Sequence, residues 1–219
     1  MLHEELWESN RDLAESCLLH PFVRGLDDGT LPRDIFRGYV AQDAFFLDAF
    51  ARAYALALAR SHGLDTIESF HGLIGGVREE LKLHRAYAAE LQIDLTQVKP
   101  APACRAYTDF LLATAWRGSS SETLAAMTPC MRLYAFLGRE LARTAVRESA
   151  ELQERPYSRW IATYSDPAFH RLADQLEQLL DRLVGNTMEI GAVYRYAMQC
   201  ELDFFSDAFR GPLLSRKRR

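Results

Sequence analysis

Apolar residues recur along most of the chain at the spacing of an α-helix, and this periodicity limits the fold more than any other feature. Runs of β-branched residues, which favour strands, are scarce. The pattern predicts an all-α bundle of about seven or eight helices. The predicted helices cover residues 2–19, 32–60, 65–91 and 104–117, a segment through Cys130, a short segment with Trp160 and Tyr164, and about 167–183 and 187–209.

Turn and capping residues mark where these helices should begin and end. Residues 20–31 contain two glycines and are predicted to be a turn-rich link. Ser119 with Glu122, and Asn186 with Glu189, have the spacing of capping boxes, in which each side chain bonds the other residue's backbone N–H. Each pair is therefore expected to open a helix.

Length and charge indicate one domain. The 219 residues are enough for one well-buried core, expected over residues 1–212, with a flexible basic tail at 213–219. A net charge of −4 offers nothing to attract nucleic acid, and no apolar run approaches the roughly 18 residues that a membrane span needs. Four scattered cysteines without a CxxC pair favour reduced thiols and a cytoplasmic location.

Three chemically active side chains fall on apolar helix faces. The residues three, four and seven positions from Asp43, Cys130 and Glu201 are mostly apolar or aromatic. A buried carboxylate is costly unless it is paired or binds something polar, so Asp43 and Glu201 are either members of a structural network or site residues. Cys130 alone could be an ordinary core residue. Pro129 should bend the helix and open space beside Cys130, or serve only as a packing bend.

Four segments in register resemble the TenA/thiaminase II family. They are "HPFVRGLDDGTLPRDIFRGYVAQDAFFLDAFA", "TPCMRLYAFLG", "YSRWIATYSD" and "CELDFFSDAF", and the resemblance extends from about His20 to Phe209. It implies the haem oxygenase-like helical fold, a homotetramer, and no cofactor or metal. The implied activity is hydrolysis of aminopyrimidines from thiamine breakdown, and in some members cleavage of thiamine itself.

The matching motifs also imply roles for individual residues. Asp43 would bind the pyrimidine amino group, Cys130 would be the catalytic nucleophile and Glu201 the proton-transfer acid. Tyr107 and Tyr164 would be pocket tyrosines, and Tyr134 would accompany the catalytic cysteine. Together with Phe46 and Phe204, these tyrosines are expected to stack on the flat ring or hydrogen-bond at its edge. An aromatic core is the plainer alternative for these rings.

The sequence departs from the family pattern at four positions. Phe46 stands where many members have a tyrosine, Met131 and Arg132 where aromatics are usual, and Phe136 where a glutamate is common. These changes bear on the substrate more than on the reaction class. No histidine shares the helix face of Cys130, so the sequence does not explain how its thiol is activated.

Two other function classes fit parts of the sequence. A di-iron oxidase would need two inward Glu-x-x-His units, and only Glu68 with His71 has that spacing. The remaining histidines are expected at the surface or near helix ends, including His84 and His170, which have an acid four residues before them. The other alternative is a non-catalytic aminopyrimidine-binding regulator that keeps the pocket without the chemistry.

Overall fold

The computed structural model describes residues 1–147, 156–183 and 188–211, and all regular structure within these ranges is helical. The predicted all-α class is therefore confirmed, with ten described α-helices rather than seven or eight. They are α1 (Leu2–Glu8), α2 (Arg11–Leu18), α3 (Pro21–Asp28), α4 (Arg33–Ala59), α5 (Leu64–Glu90), α6 (Pro102–Arg117), α7 (Ser120–Arg147), α8 (Ser158–Ser165), α9 (Pro167–Leu183) and α10 (Met188–Arg210), with a 3-10 turn at Leu95–Gln97.

The predicted continuous helix over residues 2–19 is wrong, because Asn10 interrupts it. The Asn10 side-chain amide donates to the Leu6 carbonyl at 2.7 Å, and its oxygen accepts from Arg195 of α10 at 3.2 Å. An asparagine side chain that competes for backbone groups in this way favours a break over a continued helix. The break separates α1 from α2.

The predicted link over 20–31 contains a helix, α3. His20 caps it, since its Nδ1 accepts from the Phe22 backbone N–H at 3.1 Å, and Pro21 occupies the first turn. Gly29 ends it in the left-handed region at φ 76°. Three apolar residues of this short helix are buried, so packing outweighs the glycine content that suggested turns: Phe22, Val23 and Leu26.

The helix that carries Cys130 begins as predicted. The Ser119 backbone N–H donates to Glu122 at 2.8 Å, and the Glu122 N–H donates to the Ser119 hydroxyl at 3.2 Å. Helix α7 then continues through Pro129, whose ring leaves the Ala125 carbonyl without its usual helical donor. The second predicted capping box, at Asn186, and the basic tail at 213–219 lie outside the described residues.

Helices α4 and α7 organise the bundle. Helix α4 packs against α5 and α6, while α7 packs against α8, α9 and α10, and α10 also contacts α4 and α6. Tyrosine, phenylalanine and tryptophan rings fill much of the space between these helices. Across the described ranges, no helix has the length and apolar character needed to cross a bilayer.

Candidate active site

Glu201 on α10 joins two other predicted site residues. The Tyr107 hydroxyl, from α6, donates to Glu201 Oε1 at 2.8 Å, and the Cys130 thiol on α7 lies close enough to this carboxyl group for the two to interact. Glu201 and Tyr107 are almost completely buried, and Cys130 is partly buried. A carboxyl, a phenol and a thiol from three helices therefore meet inside the bundle.

The acid and the thiol are both protonated at neutral pH. Burial raises the pKa of Glu201 to about 8, and the nearby charge of Asp43 adds to the shift, while the Tyr107 and Cys130 hydrogen bonds oppose it. Burial also raises the pKa of the Cys130 thiol well above its ordinary value, and three nearby carboxyl groups raise it further. Cys130 therefore needs a proton acceptor before it can act as a nucleophile.

Asp43 on α4 is paired with His84 on α5, and this corrects the sequence prediction that His84 lies at the surface. The His84 Nε2 is 3.0 Å from Asp43 Oδ2, and both side chains are buried. Burial alone lowers the pKa of His84, but the carboxylates of Asp43 and Glu80 outweigh it, so the net pKa is raised. The imidazole therefore gives the buried Asp43 carboxyl group a partner inside the protein.

Glu80 on α5 is the third acid of the site, and the sequence analysis did not identify it as a site residue. The Tyr164 hydroxyl donates to Glu80 Oε1 at 2.6 Å. Burial raises the pKa of Glu80 to about 7, and the charge of Asp43 contributes in the same direction. Glu80 is therefore divided between its charged and neutral forms near neutral pH.

The sequence contains the signal for both missed residues. The positions around His84 on its helix face include Val77, Leu81, Tyr87 and Ala88, which are apolar or aromatic. The face around Glu80 likewise includes Leu73, Val77 and Leu83. Charged residues next to Glu80 and His84 in the sequence obscured their apolar helix face, which is visible when residues three, four and seven positions away are compared.

Aromatic rings form the walls around these polar groups. The Phe46 and Tyr107 rings are 4.8 Å apart, the Phe204 ring is 5.9 Å from Tyr39, and Tyr134 meets Tyr164 edge-on at 4.7 Å. Such walls suit a flat ring bound by stacking and edge contacts.

Two further aromatic residues that the sequence reasoning missed fix Tyr134 in place. The Tyr39 hydroxyl donates to the Tyr134 hydroxyl at 3.3 Å, and the Trp160 indole N–H donates to Tyr39 at 3.2 Å. All three side chains are buried. This chain of hydrogen bonds holds the Tyr134 ring at the wall of the site.

Gly138 on α7 allows α8 to bring Tyr164 close. A Cβ at position 138 would lie 2.3 Å from the Tyr164 carbonyl carbon, a distance that real atoms do not adopt. Only glycine permits this approach of the two backbones. The position of Tyr164, and through it that of Glu80, depends on this contact.

The four departures from the family pattern fall in two places. Phe46 is in the site itself, and Met131 lines a cavity next to it. Arg132 is 3.5 Å from Glu177 and lies over the Trp7 ring, and Phe136 packs edge-on against Trp7. The last two changes therefore concern contacts with α1 and α9.

The residues considered for metal binding do not converge. Glu68 and His71, the one Glu-x-x-His unit, are exposed on α5. His3 of α1 instead contacts Asp181 of α9 at 2.6 Å. Among the described residues, no group of three or more His, Cys, Asp or Glu side chains is arranged to hold a metal ion.

Comparisons with known proteins assign the chain to one family. Residues 7–210 match the model of the TENA/THI-4/PQQC family. The chain is 35% identical over 181 residues to a Halalkalibacterium halodurans protein named aminopyrimidine aminohydrolase, with 80% of this chain and 79% of that protein covered. It is 37% identical over 227 residues to the Arabidopsis thaliana "Bifunctional TH2 protein, mitochondrial", with 92% of this chain but only 36% of that longer protein covered.

Solved structures similar to this chain support the same family and fold. A TenA family transcription regulator from Silicibacter superposes with a TM-score of 0.86 at 26% identity, covering 94% of this chain and 95% of that one. A Shewanella denitrificans domain described as having a heme oxygenase-like fold superposes with a TM-score of 0.73 at 15% identity, covering 94% and 91% of the two chains, and supports the fold alone. The predicted haem oxygenase-like fold is thus confirmed, and the chain belongs to the TENA/THI-4/PQQC family.

Proposed function

We propose that this protein is an aminopyrimidine aminohydrolase that converts 4-amino-5-aminomethyl-2-methylpyrimidine and water into the 5-hydroxymethyl compound and ammonia, a step of thiamine salvage. The observation that carries the proposal is the buried Glu201, which accepts a hydrogen bond from Tyr107, lies beside the Cys130 thiol and has a pKa raised to about 8. Relatives such as the Halalkalibacterium halodurans protein bear the name of this activity.

The polar groups of the site match the edge of the substrate. The Asp43 carboxyl group, which is paired with His84, accepts a hydrogen bond from the exocyclic 4-amine. Protonated Glu201 donates to a ring nitrogen. The aromatic walls, including Phe46 and Phe204, enclose the flat faces.

The contact between Cys130 and Glu201 supplies the thiol activation that the sequence left unexplained. As Glu201 gives its proton to the ring nitrogen, its carboxylate becomes a base that accepts the thiol proton. The sulfur then bonds to the adjacent unsubstituted ring carbon, because the other ring carbons carry a methyl, amino or aminomethyl group. Overall the thiol proton moves to the ring through Glu201, and no isolated charge forms on sulfur.

Addition of the thiol makes the amine a leaving group. The aminomethyl group reacts in its protonated form. Electrons of the now non-aromatic ring move toward the methylene, the C–N bond of the –CH2–NH3⁺ group breaks, and ammonia leaves with the bonding pair. The oxygen of water adds to the exocyclic methylene, and the water proton goes to solvent. Finally the sulfur leaves the ring carbon with its bonding pair and regains a proton from the ring nitrogen through Glu201. The aromatic ring and the free thiol are restored.

Two substitutions with matched controls test this chemistry. Cys130→Ser and Glu201→Gln should abolish release of the hydroxymethyl product, followed by chromatography. The controls are Cys104→Ser and Glu177→Gln. The Cys104 thiol donates to the Gln42 carbonyl at 3.5 Å, and Glu177 is a buried acid paired with Arg132. Turnover near the wild-type rate in both site variants would refute the mechanism.

A second candidate is a regulator that binds aminopyrimidines without turnover. It is favoured by the raised pKa of Cys130, which leaves the thiol inactive in the free protein, and by Phe46 in place of a tyrosine. A thermal shift with the aminomethylpyrimidine but no product would support it. For the enzyme, we propose a cytoplasmic homotetramer, which size-exclusion chromatography with light scattering would test.

A further inference from the structure

The candidate active site is enclosed, so a substrate needs a route to reach it. Asp43, Tyr107 and Glu201 each expose at most 4% of their surface. A cavity of about 360 Å³ is lined by residues of α4, α6 and α10, the helices that carry these three groups. The mechanism above makes no use of this space.

On each of these helices, a residue that lines the cavity lies one turn from a residue of the site. The pairs, with the lining residue first, are Gln42 and Phe46, Cys104 and Tyr107, and Phe204 and Glu201. Residues three or four positions apart are neighbours on a helix face, with about 5–6 Å between their Cβ atoms. The cavity therefore adjoins the site along all three helices.

Phe204 is the partition between the cavity and the site. Its side chain lines the cavity, and its ring also contacts two rings of the site. The ring centroids are 6.1 Å apart for Phe46 and 5.9 Å apart for Tyr39, which it meets edge-on. A rotation of the Phe204 side chain would join the two spaces.

A short segment before α6, residues 99–101, forms another part of the cavity wall. The Gln42 side-chain amide donates to the Lys99 carbonyl at 3.1 Å, and its oxygen accepts from the Ala101 N–H at 2.7 Å. Pro100, between these two residues, fixes the backbone φ angle and has no N–H to donate. Gln42 thus fastens a stiff segment to α4 beside Asp43.

We propose that this cavity is the entrance through which aminopyrimidines reach the buried site, and that Gln42 is a gating residue that holds residues 99–101 closed over it. The proposal rests on the proposed function for the identity of its ligand. Entry requires the two Gln42 hydrogen bonds to break and the Phe204 ring to turn. Closure afterwards separates the bound ring and the carboxyl groups from bulk water.

A gate of this kind changes rates rather than affinity. A narrower entrance slows association and dissociation by the same factor, so Kd is unchanged, and a looser cover speeds both. A residue with a merely structural role would instead change Kd or the stability of the fold. The two rate constants together therefore distinguish gating from structural support.

Two variants with matched controls test the entrance. Ala208→Phe places a ring in the cavity lining, and Gln42→Met removes both side-chain hydrogen bonds while keeping a similar length. The control for the first is Ala192→Phe, at an exposed position of the same helix, α10. The control for the second is Gln199→Met, which removes an amide hydrogen bond to Asp203 at 3.0 Å.

Stopped-flow tryptophan fluorescence measures binding of the proposed product, 4-amino-5-hydroxymethyl-2-methylpyrimidine, which undergoes no turnover. Trp160 lies close to the site, since its indole N–H donates to Tyr39, and it should report binding. We expect Ala208→Phe to slow association and dissociation on the order of tenfold or more. Gln42→Met should raise both rate constants several-fold, Kd should change less than either rate constant, and both controls should match wild type.

Unchanged rate constants in Ala208→Phe, or a change in Kd as large as the change in rate, would overturn the entrance. Binding that is slowed by Gly76→Leu but not by Ala208→Phe would also overturn it, because Gly76 lines the cavity beside Met131. Unchanged rate constants in Gln42→Met would overturn the gating role. Should Ala208→Phe fail to fold, Gln42→Met gives an independent reading.

The same measurements separate the entrance from the proposed function. Wild-type protein that binds the hydroxymethyl compound but hydrolyses no aminomethylpyrimidine would refute the proposed function, and the rate constants of the variants would still decide the entrance. Wild-type protein that binds no aminopyrimidine would refute both.

Discussion

The imidazole Nε2 of His84 lies 3.0 Å from the carboxylate Oδ2 of Asp43, and both side chains are buried between α4 and α5. This contact stabilises the buried Asp43 carboxyl group in place of an arginine. It also links the carboxyl group proposed to bind substrate to a histidine whose pKa is raised above its ordinary value by nearby carboxylates.

Replacing this histidine should destabilise the protein in a pH-dependent way. His84→Asn leaves Asp43 without its cation and should lower the free energy of unfolding by about 1–3 kcal/mol. Because the pKa of His84 is raised above its ordinary 6.5 in the folded state, its contribution is complete below that pH and is lost as pH rises through the folded value.

Urea denaturation of wild type and His84→Asn at several pH values measures this difference. The gap between the two proteins should be largest near pH 6 and should narrow at higher pH. A gap that widens with pH would show that the neutral form of His84 is the stabilising one.

The pH profile of activity should report Glu201. In the proposed mechanism its protonated form is the acid, so kcat/KM should fall as pH rises through about 8. The Tyr107 hydrogen bond lowers the pKa of Glu201, so Tyr107→Phe should move this decline to higher pH.

Tyr194→Phe is the matched control, because Tyr194 is a buried tyrosine of α10 whose charged neighbours are Glu177 and Arg132. Tyr194→Phe should leave the pH at which kcat/KM declines the same as in wild type. If the pH of this decline is also unchanged in Tyr107→Phe, a group other than Glu201 is responsible for it.

Close packing of α7 against α8 gives a prediction about Gly138. Gly138→Ala would force its Cβ into the Tyr164 backbone and should cost about 1–3 kcal/mol of stability. It should also lower activity, because Tyr164 and its partner Glu80 would move.

Gly191→Ala in α10 is the comparison, since its Cβ would meet no atom within 4 Å. A mid-helix alanine there should be neutral or stabilising by about 0.5–1 kcal/mol. Thermal unfolding of both variants measures the effect, and equal melting temperatures would contradict the close approach.

The helical fold was predictable because periodicity is a local property of the sequence. Breaks that depend on distant residues were not: Asn10 ends α1 through contacts that include Arg195, more than 180 positions away in sequence. Helix α3 was missed because its stability comes from burying Phe22 and Leu26 rather than from local propensity.

Part of the site was predictable because an acid on an apolar helix face is costly unless it is paired or binds something polar. That test identified Asp43 and Glu201, and the structure places both near Cys130, while their catalytic roles remain predictions. His84 and Glu80 were missed because charged neighbours along the sequence obscured their helix face. The family predicted from the resemblance is confirmed.

The wide spacing of the site residues along the chain has a practical consequence. The Tyr39 and Phe204 rings meet edge-on although 165 positions separate them, and the groups of the site come from six helices. No fragment of the polypeptide could assemble this constellation by itself. Enzymatic turnover should therefore disappear together with global structure during denaturant titration, and can serve as a sensitive assay of correct refolding.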